Sequence, residues 1–365
     1  MKKSDLPLPK NKFAPLLLKW NKENNTRQMP WKGEKDPYKI WLSEIILQQT
    51  RVEQGLSYYN NFIKTFPDVH KLAKAPDEKV FKLWEGLGYY TRCRNLLATA
   101  RFISKERKGK FPSNYEDIKS LKGIGPYTAA AISSFAFNLP HAVVDGNVFR
   151  VLARVFGIAA ATDTTEGKKL FTSLADDLLD KKQPGLYNQA IMDFGAVICK
   201  PAAPLCTTCV FKKNCVAFLT NKVYDLPVKE KKITIRKRWF YYLVLVYKNE
   251  IAIHQRTTKD IWQDLYQFPL IEANTDMTVK NILQQATKKN WLVKSDYEVV
   301  SVSPLFKQQL SHQLIAGQFI RIQLKKQAKD NNGWVWVTKN KIAKYAFPQY
   351  INQYLKEKLG QQSLF

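Results

Sequence analysis

The sequence predicts an all-α domain that carries a metal site, followed by a smaller α+β domain. Between residues 13 and 220, apolar residues recur at spacings of three and four, which is the spacing of amphipathic helices. Beyond residue 238, β-branched and aromatic runs broken by Asn, Gly and Asp indicate strands. Because the chain has 365 residues, it is long enough to form two hydrophobic cores.

The predicted boundary between the domains is a lysine-rich segment with little periodicity. We place the helical domain at residues 1–220, an interdomain linker at 221–235 and the α+β domain at 236–365. The strands predicted in the second domain are Trp239–Tyr247, Ile251–His254, Gln313–Leu324 and Trp334–Val337.

The charge balance favours a polyanionic partner. Lys and Arg number 58 against 31 Asp and Glu, which gives a formal net charge of +27. Nucleic acid is the first candidate, although a lysine-rich surface that keeps the chain soluble would give the same balance. The basic start is not followed by the apolar segment of a signal peptide. The sequence also contains no uninterrupted run of about eighteen apolar residues, which is the length needed to span a membrane. We therefore expect a cytoplasmic location and no membrane partner.

Four cysteines lie close together at the end of the helical domain, with the spacing C-x6-C-x2-C-x5-C. In a reducing compartment such a group consists of metal ligands rather than disulfide partners. Both zinc and a [4Fe–4S] cluster accept four thiolates. The single short C-x2-C pair favours the cluster, because structural zinc sites usually contain two such pairs. The predicted ligands are Cys199, Cys206, Cys209 and Cys215.

Two glycines between helical stretches form a candidate phosphate site. Gly123 and Gly125 permit backbone angles closed to other residues, and they let a phosphate approach the amides of the helix that Pro126 begins. An ordinary turn between helices is the alternative. Further along the chain, Asp145 precedes a predicted helix over Asn147–Phe156 and, taken alone, is most simply its cap.

Glu44 is a second carboxylate of interest. On a helix its neighbours would be Ile40, Trp41 and Leu47, and all three are apolar. A carboxyl group in such surroundings is partly desolvated, which raises its pKa and suits it to donate a proton near neutral pH. The alternative is a solvated glutamate on the outer face of the helix.

Together these segments resemble the helix-hairpin-helix iron–sulfur DNA glycosylases, in particular the adenine DNA glycosylases of the MutY type. The cysteine spacing, the hairpin and the aspartate occur in that family's order, and residues 41–50, WLSEIILQQT, resemble its catalytic signature. Residues 27–31, RQMPW, and 86–92, GLGYYTR, are also similar to family segments. The resemblance implies a helix-hairpin-helix element at about 113–137 and a [4Fe–4S] loop at 199–215.

The resemblance also implies the catalytic roles. Glu44 would protonate adenine at N7, and Asp145, supported by Asn147, would stabilise the oxocarbenium-like transition state. Glycoside hydrolases divide the work between two carboxyl groups in a parallel way. Tyr127 stands where the bifunctional endonuclease III type has a Schiff-base lysine, so the resemblance implies a monofunctional glycosylase that uses water.

Base recognition is a further implication of the resemblance, because the target base must be flipped out of the duplex. Leu47, Leu87 and Trp31 would serve equally well in a hydrophobic core. The residues implied to line the adenine pocket are Arg27, Trp31, Leu47 and Gln189. The residues implied to lie near the opposite base are Gln49, Thr50, Leu87, Gly88 and Tyr89, with Tyr89 wedged into the base stack.

The second domain resembles the MutT-like (Nudix-fold) domain of adenine glycosylases, which senses 8-oxoguanine. Trp262–Pro269 is similar to a segment of that fold, but the acidic REx2EE box of hydrolytic Nudix enzymes is missing after it. The domain should therefore recognise rather than hydrolyse. Leu310-Ser311-His312 resembles the family's Phe-Ser-His loop, so Ser311 and His312 are candidate contacts to 8-oxoguanine. A surface histidine at a strand start is the alternative for His312.

The resemblance thus implies an adenine DNA glycosylase of base excision repair. We expect a monomer with a [4Fe–4S] cluster that acts on double-stranded DNA containing adenine mispaired with 8-oxoguanine or guanine. An endonuclease III-type glycosylase/lyase for oxidised pyrimidines would need a lysine in place of Tyr127. A Nudix pyrophosphatase would need the acidic box. A DNA-binding protein without catalysis would not require Glu44 and Asp145 together.

Overall fold

The structure, a computed structural model, describes residues 8–231, 234–328 and 333–360, with residues 359 and 360 described by their backbone alone. The chain divides into two compact units. Of the described residues, the first unit comprises 8–74 and 94–231, and the second comprises 75–93, 234–328 and 333–360. The grouping of residues 75–93 with the second unit was not part of our prediction. Among the described residues, no helix has the length and apolar character needed to cross a bilayer.

The first unit is helical, as predicted, and the second combines helices with a sheet. Helix α5 and the start of α6 belong to the second unit, and the rest of α1 to α12 belongs to the first. The helices are α1 (Lys10–Asn24), α2 (Pro37–Leu47), α3 (Val52–Thr65), α4 (Val69–Ala73), α5 (Asp77–Trp84), α6 (Tyr90–Glu106), α7 (Tyr115–Ser120), α8 (Pro126–Phe137), α9 (Gly146–Phe156), α10 (Thr165–Leu178), α11 (Pro184–Val197), α12 (Val216–Leu219), α13 (Val279–Lys288), α14 (Lys339–Ile342) and α15 (Gln349–Gly360).

Local sequence explains where the helices around the site begin and end. Helix α8 starts at Pro126, whose missing N–H is not needed in the first turn. Helix α9 starts after Asp145, whose side chain accepts from Val148 N, and it ends at Gly157 with a φ of 67°. A side chain at Gly157 would meet Val216 Cγ1 at 2.4 Å, so this left-handed position requires glycine. The predicted starts and ends of α8 and α9 are confirmed within one residue.

The core of the first unit anchors the cysteine-rich loop. Phe211, which lies between two of the predicted ligands, is fully buried and stacks on Phe13 with ring centroids 4.7 Å apart. Phe194 on α11 packs edge-on against both Phe211 and Trp20. Burying a phenylalanine side chain contributes about 1.5–3 kcal/mol, so this aromatic cluster fixes the loop against the helices that form the site.

Much of the predicted linker is packed against the first unit. Arg154 Nε donates to the carbonyl oxygen of Leu226 at 3.0 Å, and Thr162 N donates to that of Val228 at 3.0 Å. Leu226 is buried in the same core as α9. Residues 221–231 are therefore an ordered part of the helical unit rather than a free tether.

The second unit contains one mixed sheet with the path β3-β2-β1-β7-β5, to which β4, β6 and β8 add. The central strands β1 and β7 are parallel, and Gly317 lets them approach, because a Cβ there would lie 1.8 Å from Phe240 O. All four predicted strands are confirmed, whereas the short β3 to β6 were not predicted. The strands are β1 (Arg236–Tyr247), β2 (Glu250–Gln255), β3 (Tyr266–Gln267), β4 (Leu270–Ala273), β5 (Tyr297–Val302), β6 (Phe306–Gln309), β7 (Gln313–Leu324) and β8 (Val335–Thr338).

Both faces of this sheet are covered. Ile282 and Ala286 of α13 pack in one core with Tyr241 and other residues of one face. On the other face, Phe319 stacks on Tyr354 of α15 with centroids 4.1 Å apart. A sheet with helices on its two faces agrees with the predicted α+β architecture.

Candidate active site

The first unit contains a cavity of about 960 Å³. Its walls come from the segment before α2, the end of α2, the hairpin between α7 and α8, the start of α9, and α11. Most of the residues predicted from distant parts of the sequence meet here. Those that line the cavity are Arg27, Trp31, Glu44, Leu47, Gln49, Gly123, Gly125, Tyr127, Asp145, Asn147 and Gln189.

Of the two hairpin glycines, Gly123 has the left-handed backbone that was predicted, whereas Gly125 is extended, with a φ of -92° that any residue can adopt. Gly123 has a φ of 83°, and a side chain there would meet Asn95 Cβ at 2.6 Å. Gly125 is the N-cap residue of α8, which therefore has no capping side chain. A Cβ atom at Gly125 would contact nothing within 4 Å. The chain therefore has open space beside Gly125 at the start of α8, and a helix N-terminus is a site that suits an anion.

Glu44 lies on α2 and lines the cavity. The residue is 8% exposed, and Ile40 and Trp41, one turn before it, are buried as well. Burial raises the pKa of Glu44 from 4.5 to about 7, a hydrogen bond with Tyr127 lowers it, and the charge of Asp145 raises it. A glutamic acid with this pKa is protonated in a large fraction of the protein molecules at neutral pH, so it can act as a general acid.

Asp145 has different surroundings. One of its oxygens accepts from Val148 N at 2.8 Å and the other accepts from Asn147 Nδ2 at 2.8 Å. Burial raises the pKa of Asp145 above its usual value, and the hydrogen bonds and the positive charge of Arg150 offset part of this rise. The α9 N-terminus and these donors favour the ionised form, so Asp145 is the member of the pair that is better stabilised as a carboxylate.

Tyr127 lies beside both carboxyl groups at the start of α8. Its hydroxyl donates to Met192 Sδ at 3.5 Å and also contacts the Glu44 carboxyl. Burial, followed by the charges of Glu44 and Asp145, raises the pKa of Tyr127 well above its usual value. The hydroxyl therefore stays protonated and serves as a hydrogen-bond donor rather than as a nucleophile.

A chain of hydrogen bonds leads from Asp145 to the cysteine-rich loop. Asn147 Oδ1 accepts from Arg150 Nη2 at 2.7 Å, and Arg150 Nε donates to Cys199 O at 2.7 Å. Arg150 also donates to Gly195 O at 2.7 Å. Arg150 thereby fixes the amide of Asn147 with its nitrogen toward Asp145, because the amide oxygen is the atom that accepts from Arg150.

The four cysteines lie together against the core of the first unit. Burial, together with the neighbouring thiols of Cys199, Cys215 and Cys206, raises the pKa of the Cys209 thiol to about 12. Such thiols ionise when a metal supplies positive charge. Within the described ranges, no group of three or more His, Cys, Asp or Glu side chains is arranged to hold one metal ion. As a donor set, four thiols suit zinc as well as an iron–sulfur cluster.

The residues predicted near the opposite base belong mainly to the second unit. Gly88 has a φ of 78° and Tyr89 a φ of 48°, a strained value for a bulky residue, and Tyr89 is 44% exposed. The hydroxyls of Tyr89 and Ser311 are hydrogen-bonded to each other. His312 is exposed beside Ser311 in the turn between β6 and β7, and Leu87 is buried. The fold thus brings Tyr89 and Ser311 together from distant parts of the sequence.

Two further observations concern residues outside these groups. Thr50 is not among the residues that line the cavity, and its hydroxyl donates to Gln48 O at 3.3 Å. Asp193 was missed by the sequence analysis although it is fully buried beside the cavity residues Arg27 and Gln189. A charged residue inside the apolar run of α11, four positions after Gln189, was the signal that could have identified it.

Comparisons with known proteins agree with this architecture. Residues 42–175 match the HhH-GPD superfamily base excision DNA repair proteins, and residues 241–357 match the NUDIX domain. The chain is 35% identical over 333 residues to the adenine DNA glycosylase of Buchnera aphidicola subsp. Baizongia pistaciae, which covers 90% of this chain and 91% of that protein. It is 40% identical over 214 residues to the adenine DNA glycosylase of Homo sapiens, covering 56% of this chain and 39% of that protein.

Solved structures resemble the helical part of the chain. A thermostable thymine-DNA glycosylase superposes with a TM-score of 0.54 at 29% identity, covering 58% of this chain and 97% of that one. Endonuclease III in a non-covalent DNA complex gives a TM-score of 0.51 at 18% identity, covering 59% of this chain and 98% of that one. The second likeness shows a shared fold.

Proposed function

The chain belongs to the adenine DNA glycosylases, hydrolases of base excision repair within the HhH-GPD superfamily, and we propose that it removes adenine mispaired with 8-oxoguanine or guanine in double-stranded DNA. One observation carries the catalytic part of the proposal. The cavity holds a buried carboxyl group with a pKa of about 7 next to a carboxylate that is capped by hydrogen bonds. This pairing is what acid-assisted cleavage of an N-glycosidic bond requires.

In the proposed reaction, Glu44 donates its proton to N7 of the flipped adenine. The C1′–N9 bond then breaks with its electron pair going to the base, which leaves as neutral adenine. Asp145 offsets the positive charge that develops on the sugar, and Asn147 holds the carboxylate through its 2.8 Å hydrogen bond. Water supplies the new oxygen at C1′ and releases a proton, which restores Glu44 as an acid.

We propose that the reaction stops at the abasic site. Tyr127, with its raised pKa, occupies the position of the Schiff-base lysine in the lyase type. Two lysines line the cavity, but Lys32 Nζ pairs with Asp193 at 3.2 Å and Lys35 Nζ donates to Phe135 O at 2.9 Å. With its ammonium group engaged in this way, neither lysine is poised to form an imine with the sugar.

The assignment of the opposite base rests on the second unit. The Tyr89–Ser311 pair and the exposed His312 offer hydroxyl and imidazole groups that suit the edge of 8-oxoguanine, and we assign them that role. The hairpin glycines Gly123 and Gly125 are proposed to bind a DNA phosphate, and the excess of basic residues is proposed to bind the rest of the backbone.

We also propose a [4Fe–4S] cluster held by Cys199, Cys206, Cys209 and Cys215. When bound, it would cross-link a loop that the helices otherwise hold through Phe211, Arg150 and Arg154. A broad absorbance near the visible–ultraviolet boundary that bleaches on loss of iron would support the cluster, whereas a colourless zinc protein would contradict it.

The test of the activity is a single-turnover assay on four duplexes. They contain A·8-oxoguanine, A·G, A·T or an oxidised pyrimidine opposite adenine. We expect adenine release from the first two, slow release from A·T, and strand breaks at the abasic sites after alkali or heat alone. Release of the oxidised pyrimidine, or strand scission without alkali or heat, would support the endonuclease III type instead. No release of adenine from any duplex would refute the proposed activity.

A further inference from the structure

Asp193 on α11 is a fully buried carboxylate that the proposed mechanism does not use. It forms ion pairs with Arg27 Nη1 at 2.8 Å and with Lys32 Nζ at 3.2 Å. It also accepts from Asn25 Nδ2 at 2.9 Å and from Gln189 Nε2 at 3.0 Å. Four donors from two distant parts of the chain therefore converge on one group, and three of them, all but Asn25, belong to residues that line the cavity.

The chemistry of Asp193 fixes the orientation of the Gln189 amide. An ionised carboxylate accepts hydrogen bonds and donates none, so only the NH₂ group of Gln189 can face it. The amide oxygen must then face the other way. In the part of the chain that the structure describes, no hydrogen bond engages Gln189 Oε1, and the residue borders the cavity.

Arg27 is fixed by the same carboxylate. One of its terminal nitrogens is bound to Asp193, and the side chain remains 25% exposed at the cavity, so its other N–H groups are available as donors. Asp193 therefore presents an acceptor from Gln189 and donors from Arg27 to the same space. This pattern matches adenine, which combines an amino donor at N6 with acceptors at its ring nitrogens, and mismatches guanine, which carries an acceptor at position 6.

We propose that Asp193 is a positioning residue that makes the cavity selective for a base with a 6-amino group, by holding Gln189 Oε1 toward that group. This inference rests on the proposed adenine glycosylase activity and adds the residue that determines which way the Gln189 amide points. Asp193 does not touch the base and acts through Gln189 and Arg27.

The test compares adenine with unsubstituted purine, which lacks the 6-amino group, each opposite 8-oxoguanine. The variant Asp193→Asn keeps the shape but adds a donor, so Gln189 can reverse its amide. Relative to wild type, we expect the ratio of the adenine to the purine single-turnover rate constants to fall on the order of tenfold, which is the size expected for one lost base-reading contact. The exposed Asp225→Asn serves as a matched control with an unchanged ratio.

A second variant separates positioning from a structural role. Gln189→Leu removes the amide and should lower the ratio by a similar factor, and adding Asp193→Asn to it should leave the ratio where it is. If Asp193→Asn lowers the rate constants on both bases equally and leaves their ratio unchanged, the inference is overturned. A second drop of the ratio by the full factor in the double variant would also overturn it. If Asp193→Asn does not fold, an unchanged ratio in Gln189→Leu overturns it. Failure of the wild type to release adenine refutes the activity instead.

Discussion

The end of α2 and the start of α9 each place a carboxyl group in the same cavity, yet the surroundings of these two groups differ. Glu44 on α2 is surrounded by buried apolar residues and has Tyr127 as its hydrogen-bonding neighbour, so burial determines its pKa of about 7. Asp145 at the start of α9 is also buried, but it has a backbone donor, an amide donor and a nearby guanidinium. Burial raises the pKa of both groups, and the additional donors around Asp145 favour its ionised form more than the single neighbour of Glu44 does.

Replacing the acid should have the largest effect on this comparison. Glu44→Gln keeps the shape of the side chain and removes the proton that adenine N7 would receive. Because general acid catalysis contributes about 10²–10⁴-fold, we expect the single-turnover rate constant on A·8-oxoguanine to fall by that factor while duplex binding is retained. The exposed glutamate in Glu53→Gln should leave the rate unchanged. Full activity of Glu44→Gln would remove Glu44 as the acid.

The same substitution should stabilise the protein above neutral pH. The folded-state pKa of Glu44, about 7, lies above its unfolded value of 4.5, so its favourable contribution is fully present below pH 4.5 and is lost as pH rises through 7. Glutamine carries no such penalty, and the gain at pH 8 should approach about 3 kcal/mol. Urea unfolding at pH 4 and pH 8, followed by circular dichroism, measures it. Equal midpoints for the two proteins at pH 8 would contradict the buried acid.

Sequence could predict these two carboxyl groups because their determinants are local. The apolar neighbours of Glu44 are one turn away on α2, and the cap formed by Asp145 involves residues up to Val148. Asp193 was missed because its partners Arg27 and Lys32 are more than 160 positions away. Periodicity describes one element at a time and carries no information about such pairs.

The division into units was also beyond local pattern. Residues 75–93 look helical in sequence like the rest of the first domain, but Glu85 Oε1 accepts from Phe347 N at 2.7 Å and Lys82 Nζ donates to Tyr345 O at 2.9 Å. These contacts join α5 and the residue after it to the rest of the second unit. Strands such as β3, which spans two residues, are defined by their partners rather than by their own residues.

Weakening the donors of Asp145 should make it behave more like Glu44. Asn147→Ala removes the 2.8 Å hydrogen bond and leaves Arg150 without one acceptor. Because the pKa of Asp145 then rises, the acidic limb of the pH–rate profile should move to higher pH, and the rate at mildly acidic pH should fall on the order of tenfold. The exposed Asn281→Ala is the control. An acidic limb at its wild-type position would show that Asn147 does not set the charge of Asp145.

Removing the hydroxyl that contacts Glu44 gives the smallest and most specific effect. The hydrogen bond with Tyr127 lowers the pKa of Glu44, so Tyr127→Phe should raise that pKa further. Glu44 acts as an acid only when protonated, and the rate of the wild type should therefore decline as pH rises through about 7. In Tyr127→Phe this decline should begin at higher pH. The activity of the variant near pH 8 should therefore stay within a few-fold of the wild-type activity or exceed it, which is the size expected for the loss of one modest hydrogen bond.

The control is Tyr224→Phe, at a tyrosine that is 77% exposed, and it should leave the pH–rate profile unchanged. A basic limb that moves to lower pH in Tyr127→Phe would mean that the phenol stabilises the protonated acid, and the division of roles between the two carboxyl groups would then have to rest on Asp145 alone.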